Sequence, residues 1–438
     1  MTRAPHSGAT IAFITLGCPK NEVDSDRMRA DTLNAGYSVV DSAQPADVIV
    51  VNTCSFIRDA TEESIATVFD VLGVDSSGQT PAVIVVGCMV SRYGDELADS
   101  LTEVSAFLPV SDEHRLVDEI ERLTGIARSP AAQGTATRTG SGPSAYLQIS
   151  DGCHRACAYC TIPSIRGDYV SRSLAEVVDE AKHLVDSGAR ELVLIGQDIT
   201  SWGRDLDSDL TLADLIDQIA AVPGLRWLRL MYLQPDGVSD LLLERMAAHA
   251  NVCRYMDIPL QHASASVLRR MRRRGSLEEY LDLVERIRSV LPGIALRTTL
   301  IAGFPGETRA DVAALHQFVR RAQFDYVGVF VYSPEEDTEA ATLPDQVPLR
   351  TRRARAQRLR DLCDDMCVAR VQHRIGDVLE VLVEGVDPDE GVVVGRWRGQ
   401  APEIDGFVLL DQGEPGQIVN ARIVDTLGYD LEGEVLSE

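Results

Sequence analysis

Short apolar runs punctuate the N-terminal stretch of the chain. Ile11 to Leu16, Asp47 to Asn52 and Ala82 to Val86 each lead into a cysteine-bearing turn and then into a helical spacing of apolar and polar positions. Strand, turn and helix repeated in this way predict an open α/β sheet with crossover helices. Between Ala127 and Ala145 the sequence turns to Ser, Pro, Ala, Gln, Gly and Thr, too polar and small to bury a core, which predicts a linker. From Tyr146 six β-rich runs alternate with helical stretches: Tyr146 to Ser150, Glu191 to Gly196, Trp227 to Leu233, Met256 to Gln261, Ala295 to Phe304 and Val327 to Ser333. Six units are too few for the closed eight-stranded barrel, so a partial (βα)6 barrel is predicted, with ligands at the carboxyl ends of its strands. An Arg-rich helical segment, Arg350 to His373, precedes short alternating strands with Gly, Pro and Asp turns, which predict a small β-barrel. The expected organisation is an open-sheet domain over 9–126, a linker over 127–144, a barrel core over 145–368 and a β module over 371–438, with residues 1–9 a loose extension.

Composition narrows the function classes. The chain has 438 residues and a formal charge of −25, and its apolar fraction of 45% is that of a folded globular protein. The apolar stretch Ile11 to Cys18 is too short to span a bilayer and has no small-residue cleavage site after it, so a cytoplasmic protein without membrane attachment is expected. Excess negative charge argues against a general grip on nucleic acid phosphates, and a basic protein is the better-matched partner. Nine cysteines in a reduced compartment point to metal or redox chemistry before a disulfide framework.

Two cysteine trios carry that chemistry. In DGCHRACAYC, Cys153, Cys157 and Cys160 follow the first barrel strand. Three thiolates on one tight loop suit three irons of a cubane cluster, leaving the fourth open to a substrate. The competing assignment is a closed zinc site completed by His154. The second trio is dispersed: Cys18, Cys54 and Cys88 each fall near the end of a predicted parallel strand, and strand ends of a doubly wound sheet converge on one crevice. Their alternative is simple burial, because cysteine behaves as a small hydrophobe.

The first trio resembles the signature of radical S-adenosylmethionine (SAM) enzymes. That resemblance implies a [4Fe-4S] cluster whose open iron binds SAM, with cofactor contacts from Tyr159, from Gln197 in LIGQD, and from Gly303 and Glu307 in LIAGFPGE. With GCPKN at Gly17 to Asn21, NTC at Asn52 to Cys54 and GC at Gly87 to Cys88, the whole chain resembles the methylthiotransferases. The resemblance implies a second, auxiliary [4Fe-4S] cluster on Cys18, Cys54 and Cys88. SAM would then serve as both methyl donor and radical source, with a sulfur donor and an electron donor such as flavodoxin or ferredoxin as partners. It also places Arg166 and Arg172, in IRGDYVSR, on the substrate side.

One branch of that family modifies an aspartate β-carbon of a small-subunit ribosomal protein of the decoding region, free or within the subunit. The other modifies an adenosine of tRNA. Residues 371–438, which resemble a TRAM domain, hold four Arg, no Lys and fifteen Asp or Glu. That charge would repel RNA and attract a basic ribosomal protein, although acidic faces also serve solubility. DIPLQHAS, with Gln261 and His262 as tentative substrate-side residues, is more similar to the ribosomal-protein branch. The Arg runs 269–274 and 350–360 keep RNA in play and are expected on helices, facing solvent or acidic neighbours. Cys253, Cys363 and Cys367 match no ligand position and read as core residues. A non-catalytic iron-sulfur electron carrier would account for the cysteines alone.

Overall fold

Strands with almost no polar position between their ends are buried on both faces, and the N-terminal part of the chain is built from them. In the computed structural model, which describes residues 8–72, 80–129, 138, 142–389 and 391–436, β1 (Thr10–Thr15), β2 (Ser38–Val40), β3 (Val48–Thr53), β4 (Ala82–Gly87) and β5 (Ala106–Leu108) form a parallel sheet in the order β2-β1-β3-β4-β5. Residues 1–7 of the expected extension over 1–9 and most of the expected linker lie outside the described residues. Side chains alternate across the sheet: Ile11, Phe13, Val50, Ile84 and Val86 enter one core, Val51, Val83 and Val85 another. The helices are α1 (Pro19–Asn34), α2 (Arg58–Leu72), α3 (Cys88–Ser100) and α4 (Leu116–Thr124). Edge strands β2 and β5 have three residues each, too short for an alternation to register in sequence.

This sheet forms one compact unit with Asp151–Arg155 and Cys160–Tyr169, the latter containing α5 (Ile162–Arg166). Parts of the DGCHRACAYC loop and of the segment after it thus pack with the N-terminal sheet, while the main break between the units falls within 127–144.

The second unit contains the partial barrel. After β6 (Ser144–Gln148) come two-residue strands β7 (Ser150–Asp151) and β8 (Val170–Ser171), then β9 (Glu191–Ile195), β10 (Trp227–Leu230), β11 (Tyr255–Asp257), β12 (Ala295–Ala302) and β13 (Tyr326–Val331). β6, β9 and β10 pair in parallel, as do β11, β12 and β13, and a parallel bridge from Leu228 to Val252 joins the two triplets. The intervening helices are α6 (Leu174–Asp186), α7 (Leu212–Ala220), α8 (Asp240–Ala248), α9 (Ala265–Arg270), α10 (Leu277–Val290) and α11 (Arg309–Ala322). Reciprocal caps Ser173 with Glu176 and Thr308 with Asp311 start α6 and α11 by satisfying backbone N–H groups that the first helical turn leaves unpaired.

The expected strand Met256 to Gln261 is cut short at Asp257. Pro259 has no N–H to give to a ladder, and Gln261 sits at φ 71°, a left-handed value incompatible with a strand. Gln261 nevertheless rejoins the sheet edge, donating to the Thr299 carbonyl and accepting from Ile301 N–H.

After α12 (Glu339–Thr342), the long helix α13 (Leu349–Gln372) packs Ala356, Leu359, Cys363, Cys367 and Val371 inward. Its arginines face solvent or acidic neighbours, as expected, and several also bond backbone carbonyls. Arg352 donates to the Tyr332 and Val347 carbonyls, Arg355 to Glu307, Arg360 to the Val329 carbonyl and Arg370 to Asp325. Long stems buried under charged heads let Arg tie a helix to exposed strand carbonyls.

β14 (Val378–Val386), β15 (Val393–Trp397), β16 (Val408–Leu410), β17 (Ile418–Leu427) and β18 (Asp430–Val435) close a five-stranded barrel in the order β14-β15-β16-β18-β17. It is bonded to the amino-terminal ends of the partial-barrel strands. Glu191, first in β9 and fully enclosed, accepts from Arg229 Nε at 2.7 Å and from Arg396 at 2.5 Å, and Arg396 also pairs with Glu384. Alongside, Tyr255 donates to Asp405 at 2.6 Å, and Arg297 bridges Asp405 and Asp257.

Candidate metal centres and cofactor site

The dispersed cysteines meet because three neighbouring parallel strands end together. Cys18 precedes α1, whose first residue Pro19 needs no hydrogen-bond partner; Cys54 follows β3; Cys88 opens α3. Asn21, fully buried, stands among them, with Oδ1 3.6 Å from Cys18 Sγ and 3.9 Å from Cys88 Sγ. Its amide donates to Asn52 Oδ1 and the Thr53 carbonyl, and Asn52 in turn donates to the Asn21 carbonyl and Ser25. Two glycines are required here. A Cβ on Gly17, at φ 98°, would lie 2.6 Å from Cys54 Cβ, and one on Gly87, at φ 94°, 2.4 Å from Asn52 Oδ1.

Burial pushes the Cys88 thiol up to about 12 and raises that of Cys54. Both are therefore protonated at neutral pH, and a metal cluster would displace those protons on binding. Among the described residues no group of three or more His, Cys, Asp or Glu side chains is placed to hold a single metal ion. Three half-buried to buried thiols around one polar side chain instead fit the corners of a polynuclear cluster.

In the other trio Cys153 is buried and its sulfur accepts from Arg155 N–H at 3.4 Å, while its own N–H donates to the Gly167 carbonyl. His154, the proposed fourth zinc ligand, is 64% exposed with Nδ1 3.6 Å from Asp168 Oδ1, so the closed zinc site is not formed by it. On the barrel side, Arg273 NH1 lies 3.8 Å from Cys157 Sγ and its NH2 donates to the Pro259 carbonyl. This residue of the Arg run is a buried neighbour of a thiol, a position that no helical pattern announces.

The carboxyl ends of the barrel strands present polar atoms without partners. Ser150 Oγ, Gln197 Oε1, Gln234 Oε1 and His262 Nε2, which follow β6, β9, β10 and β11, are each enclosed and make no hydrogen bond. Buried polar atoms are rarely left so, and their recurrence at strand ends suits a polar ligand. The sequence reading named Gln197 and missed Gln234, although its place in YLQP at a strand end was a usable signal.

Tyr159 meets Phe304 edge-on, ring centroids 6.4 Å apart, bringing two of the expected cofactor segments together. Gly303 N–H donates to Glu307 Oε2 at 2.7 Å, while Arg355 holds Oε1 at 2.8 Å. Glu307 is enclosed, and its carboxylate fixes the Gly303 turn inside the expected cofactor segment. Ser264 N–H donates to His262 Nδ1, which leaves Nε2 as the protonated nitrogen, 3.7 Å from Glu307. Arg166 and Arg172, expected on the substrate side, are both engaged by groups of the protein. Arg172 is held by the Gln148 carbonyl and Glu180, and Arg166 is buried against Asp24, Asp151 and Asn21 within the N-terminal unit.

The arrangement matches known families along the chain. The profile described as Radical SAM superfamily covers residues 147–319, "Uncharacterized protein family UPF0004" covers 10–109, and the TRAM domain covers 375–436. The ribosomal protein uS12 methylthiotransferase RimO of Trichlorobacter lovleyi is 43% identical over 98% of this chain and 98% of its own length. The chain belongs to the ribosomal protein uS12 methylthiotransferase family. The relatives of the same name from Geobacter sulfurreducens, 42% identical over 98% of each chain, and from Sorangium cellulosum, 42% identical over 99% of this chain and 92% of its own, agree. As a member of this methylthiotransferase family the protein is a radical SAM transferase, not a non-catalytic electron carrier.

Solved structures share the fold at low identity. Radical S-adenosylmethionine methyltransferase TsrM from Kitasatospora setae has a TM-score of 0.54 at 15% identity, covering 76% of this chain and 77% of that one. The cobalamin-dependent S-adenosylmethionine radical enzyme OxsB has a TM-score of 0.52 at 11% identity, over 80% and 56%. Among the described residues no helix of this methylthiotransferase is long and apolar enough to cross a membrane.

Proposed function

We propose that this protein inserts a methylthio group at the β-carbon of an aspartate in ribosomal protein uS12. The observation that carries the reading is the gathering of Cys18, Cys54 and Cys88 around Asn21 in a chain that also bears the Cys153, Cys157, Cys160 loop, across a full-length match to uS12 methylthiotransferases. Each trio would hold a [4Fe-4S] cluster by three irons. When bound, the cluster at Cys153, Cys157 and Cys160 together with SAM supplies one-electron chemistry able to break an unactivated C–H bond, which no side chain can do.

The protein's own contribution is arrangement. Tyr159 and Phe304 offer an apolar wall for the adenine, and Gly303, fixed by Glu307 and Arg355, sets the backbone beside it. Gln197, Gln234 and Ser150 present unpaired polar atoms for the remaining polar groups of SAM, in a site whose enclosure excludes water. Arg273 NH1, 3.8 Å from Cys157 Sγ, sets a positive charge beside one of the sulfurs that would hold the cluster.

The acidic β-barrel supports a basic protein partner. Three of its four arginines turn toward the fold: Arg396 pairs with Glu191, Arg398 with Glu380, and Arg374 lies over Trp397. Fewer cations are thereby left outward than the sequence count of this module suggests, and its field favours a polycation over RNA. The reaction also needs a sulfur donor and a low-potential electron donor such as flavodoxin or ferredoxin, and is assigned to the cytoplasm, where ribosomes are modified.

The test is mass spectrometry of uS12 and of tRNA nucleosides after anaerobic incubation of each with the reconstituted enzyme, SAM, sulfide and reductant. A methylthio increment on the uS12 aspartate supports the assignment; an increment on a tRNA adenosine with none on uS12 overturns it.

A further inference from the structure

Arg166 is six residues beyond Cys160 and belongs by sequence to the radical loop, yet its side chain is spent elsewhere. It is 1% exposed, and NH2 donates to Asp24 at 2.7 Å and to Asn21 Oδ1 at 3.3 Å, while NH1 reaches both oxygens of Asp151 at 3.3 Å. Asn21 is the side chain whose Oδ1 stands 3.6 Å from Cys18 Sγ and 3.9 Å from Cys88 Sγ. Asn21 therefore links a permanently charged, desolvated guanidinium to the sulfurs of Cys18 and Cys88, and Arg166 is itself within side-chain hydrogen-bonding reach of Cys88. Desolvation of this kind is costly and is offset here by the Asp24 and Asp151 carboxylates, which hold the cation beside the thiols.

Three thiolates carrying an iron-sulfur cube add net negative charge to a buried site. Reduction adds one more electron there. A cation held within a few ångströms in low dielectric stabilises the reduced state more than the oxidised one, and an anion does the reverse. Asp24 and Asp151 steer the guanidinium and oppose its field, so the pair of Arg166 and Asp24 forms an adjustable electrostatic setting beside the trio.

We infer that Arg166 is a positioning residue for the auxiliary cluster: through Asn21 it fixes the cluster's surroundings, and its buried charge raises the reduction potential of a cluster held by Cys18, Cys54 and Cys88. The inference rests on the proposed function for the existence of that cluster. It gives a residue outside both ligand sets a role in a redox property of the second one. Arg166 makes no contact with substrate in this role; it acts through Asn21 and through its field.

The experiment isolates the auxiliary cluster in the full-length chain by replacing Cys153, Cys157 and Cys160 with Ala, reconstituting with iron and sulfide, and comparing Arg166, Arg166→Gln, Arg166→Lys and Asp24→Asn in that background. Iron content and dithionite titration followed by EPR are read, with each electron passing from dithionite to cluster iron. Arg166→Gln is expected to retain the cluster but to cut the reduced-to-oxidised ratio at a fixed potential at least tenfold, a 59 mV fall for one electron. Arg166→Lys should restore most of it, and Asp24→Asn should move the potential upward.

Equal midpoints in all four proteins overturn the inference while leaving the cluster assignment intact. Shifts of Arg166→Gln and Asp24→Asn in the same direction also overturn it, since they would report disruption and not charge. No iron in the parent triple variant overturns the assignment of the trio, and the inference with it.

Discussion

Glu191→Gln tests the seam between the partial barrel and the C-terminal β-barrel. The native carboxylate is fully enclosed, accepts from Arg229 and Arg396, and also receives Ser144 Oγ at 2.9 Å. Burial alone would raise its pKa, but the two guanidiniums outweigh burial and hold it at about 2, against an ordinary 4.5. At about 1.4 kcal/mol per pK unit, that depression makes the ionised arrangement about 3 kcal/mol more favourable in the folded state. Glutamine keeps the shape and an acceptor but leaves Arg229 and Arg396 short of charge, and removing one partner from a buried ion pair costs about 3 to 5 kcal/mol. The two routes agree at about 3 kcal/mol.

Because the folded pKa is depressed, this stability is fully present above the unfolded value and is lost as pH falls from about 5 toward 2. Urea unfolding of the iron-free chain, followed by tryptophan fluorescence from Trp227 and Trp397 at the seam together with Trp202, reads it. At pH 7 the variant should unfold about 3 kcal/mol more easily, and the gap between the two proteins should close as pH is lowered toward 2. Equal midpoints at pH 7, or a gap that stays constant on acidification, would refute the reasoning.

The two cysteine trios predict separable losses. Cys157→Ala should abolish 5'-deoxyadenosine formation, whereas Cys54→Ala should retain it and lose methylthio insertion, as measured by chromatography and by mass spectrometry of uS12; intact insertion by the second variant would end the division of labour. Gly17→Ala places a methyl 2.6 Å from Cys54 Cβ and forces a non-glycine residue to φ 98°, so it should lose iron at the N-terminal trio while the Cys153, Cys157, Cys160 site keeps its own, as read by iron analysis and EPR. Reversing two exposed charges on β18, Glu432→Lys with Glu434→Lys, should slow association with uS12 several-fold at low salt and little at high salt, measured by stopped flow; unchanged rates at low salt would remove the barrel from substrate capture.

What the sequence disclosed depended on the range of the interactions involved. Cys54 and Cys88 were legible because a strand's end is a local feature, and topology alone then brings three such ends together. The six barrel strands were legible for the same reason, except where Pro259 and the left-handed Gln261 interrupt the fourth. Asn21 and Arg166 were not, since their meaning lies in contacts made across 145 residues of chain. Arg273 sits in a run of like residues that reads as a solvated face, and only the fold shows it beside Cys157. The contacts of Glu307 with Gly303 N–H and Arg355 were not legible, because a motif gives proximity to a turn but not which group the carboxylate faces.

The bonds of Glu191, Arg229, Tyr255 and Arg297 to the C-terminal barrel bear on how such chains can be recombined. A chimera that kept this partial barrel and received a terminal domain without counterparts of Arg396 and Asp405 would leave Glu191 with Arg229 alone, and Tyr255 and Arg297 facing no Asp405. Transplants should succeed only when those strand-end residues travel with the graft, so the apparently detachable tail and the catalytic body are constrained to change together.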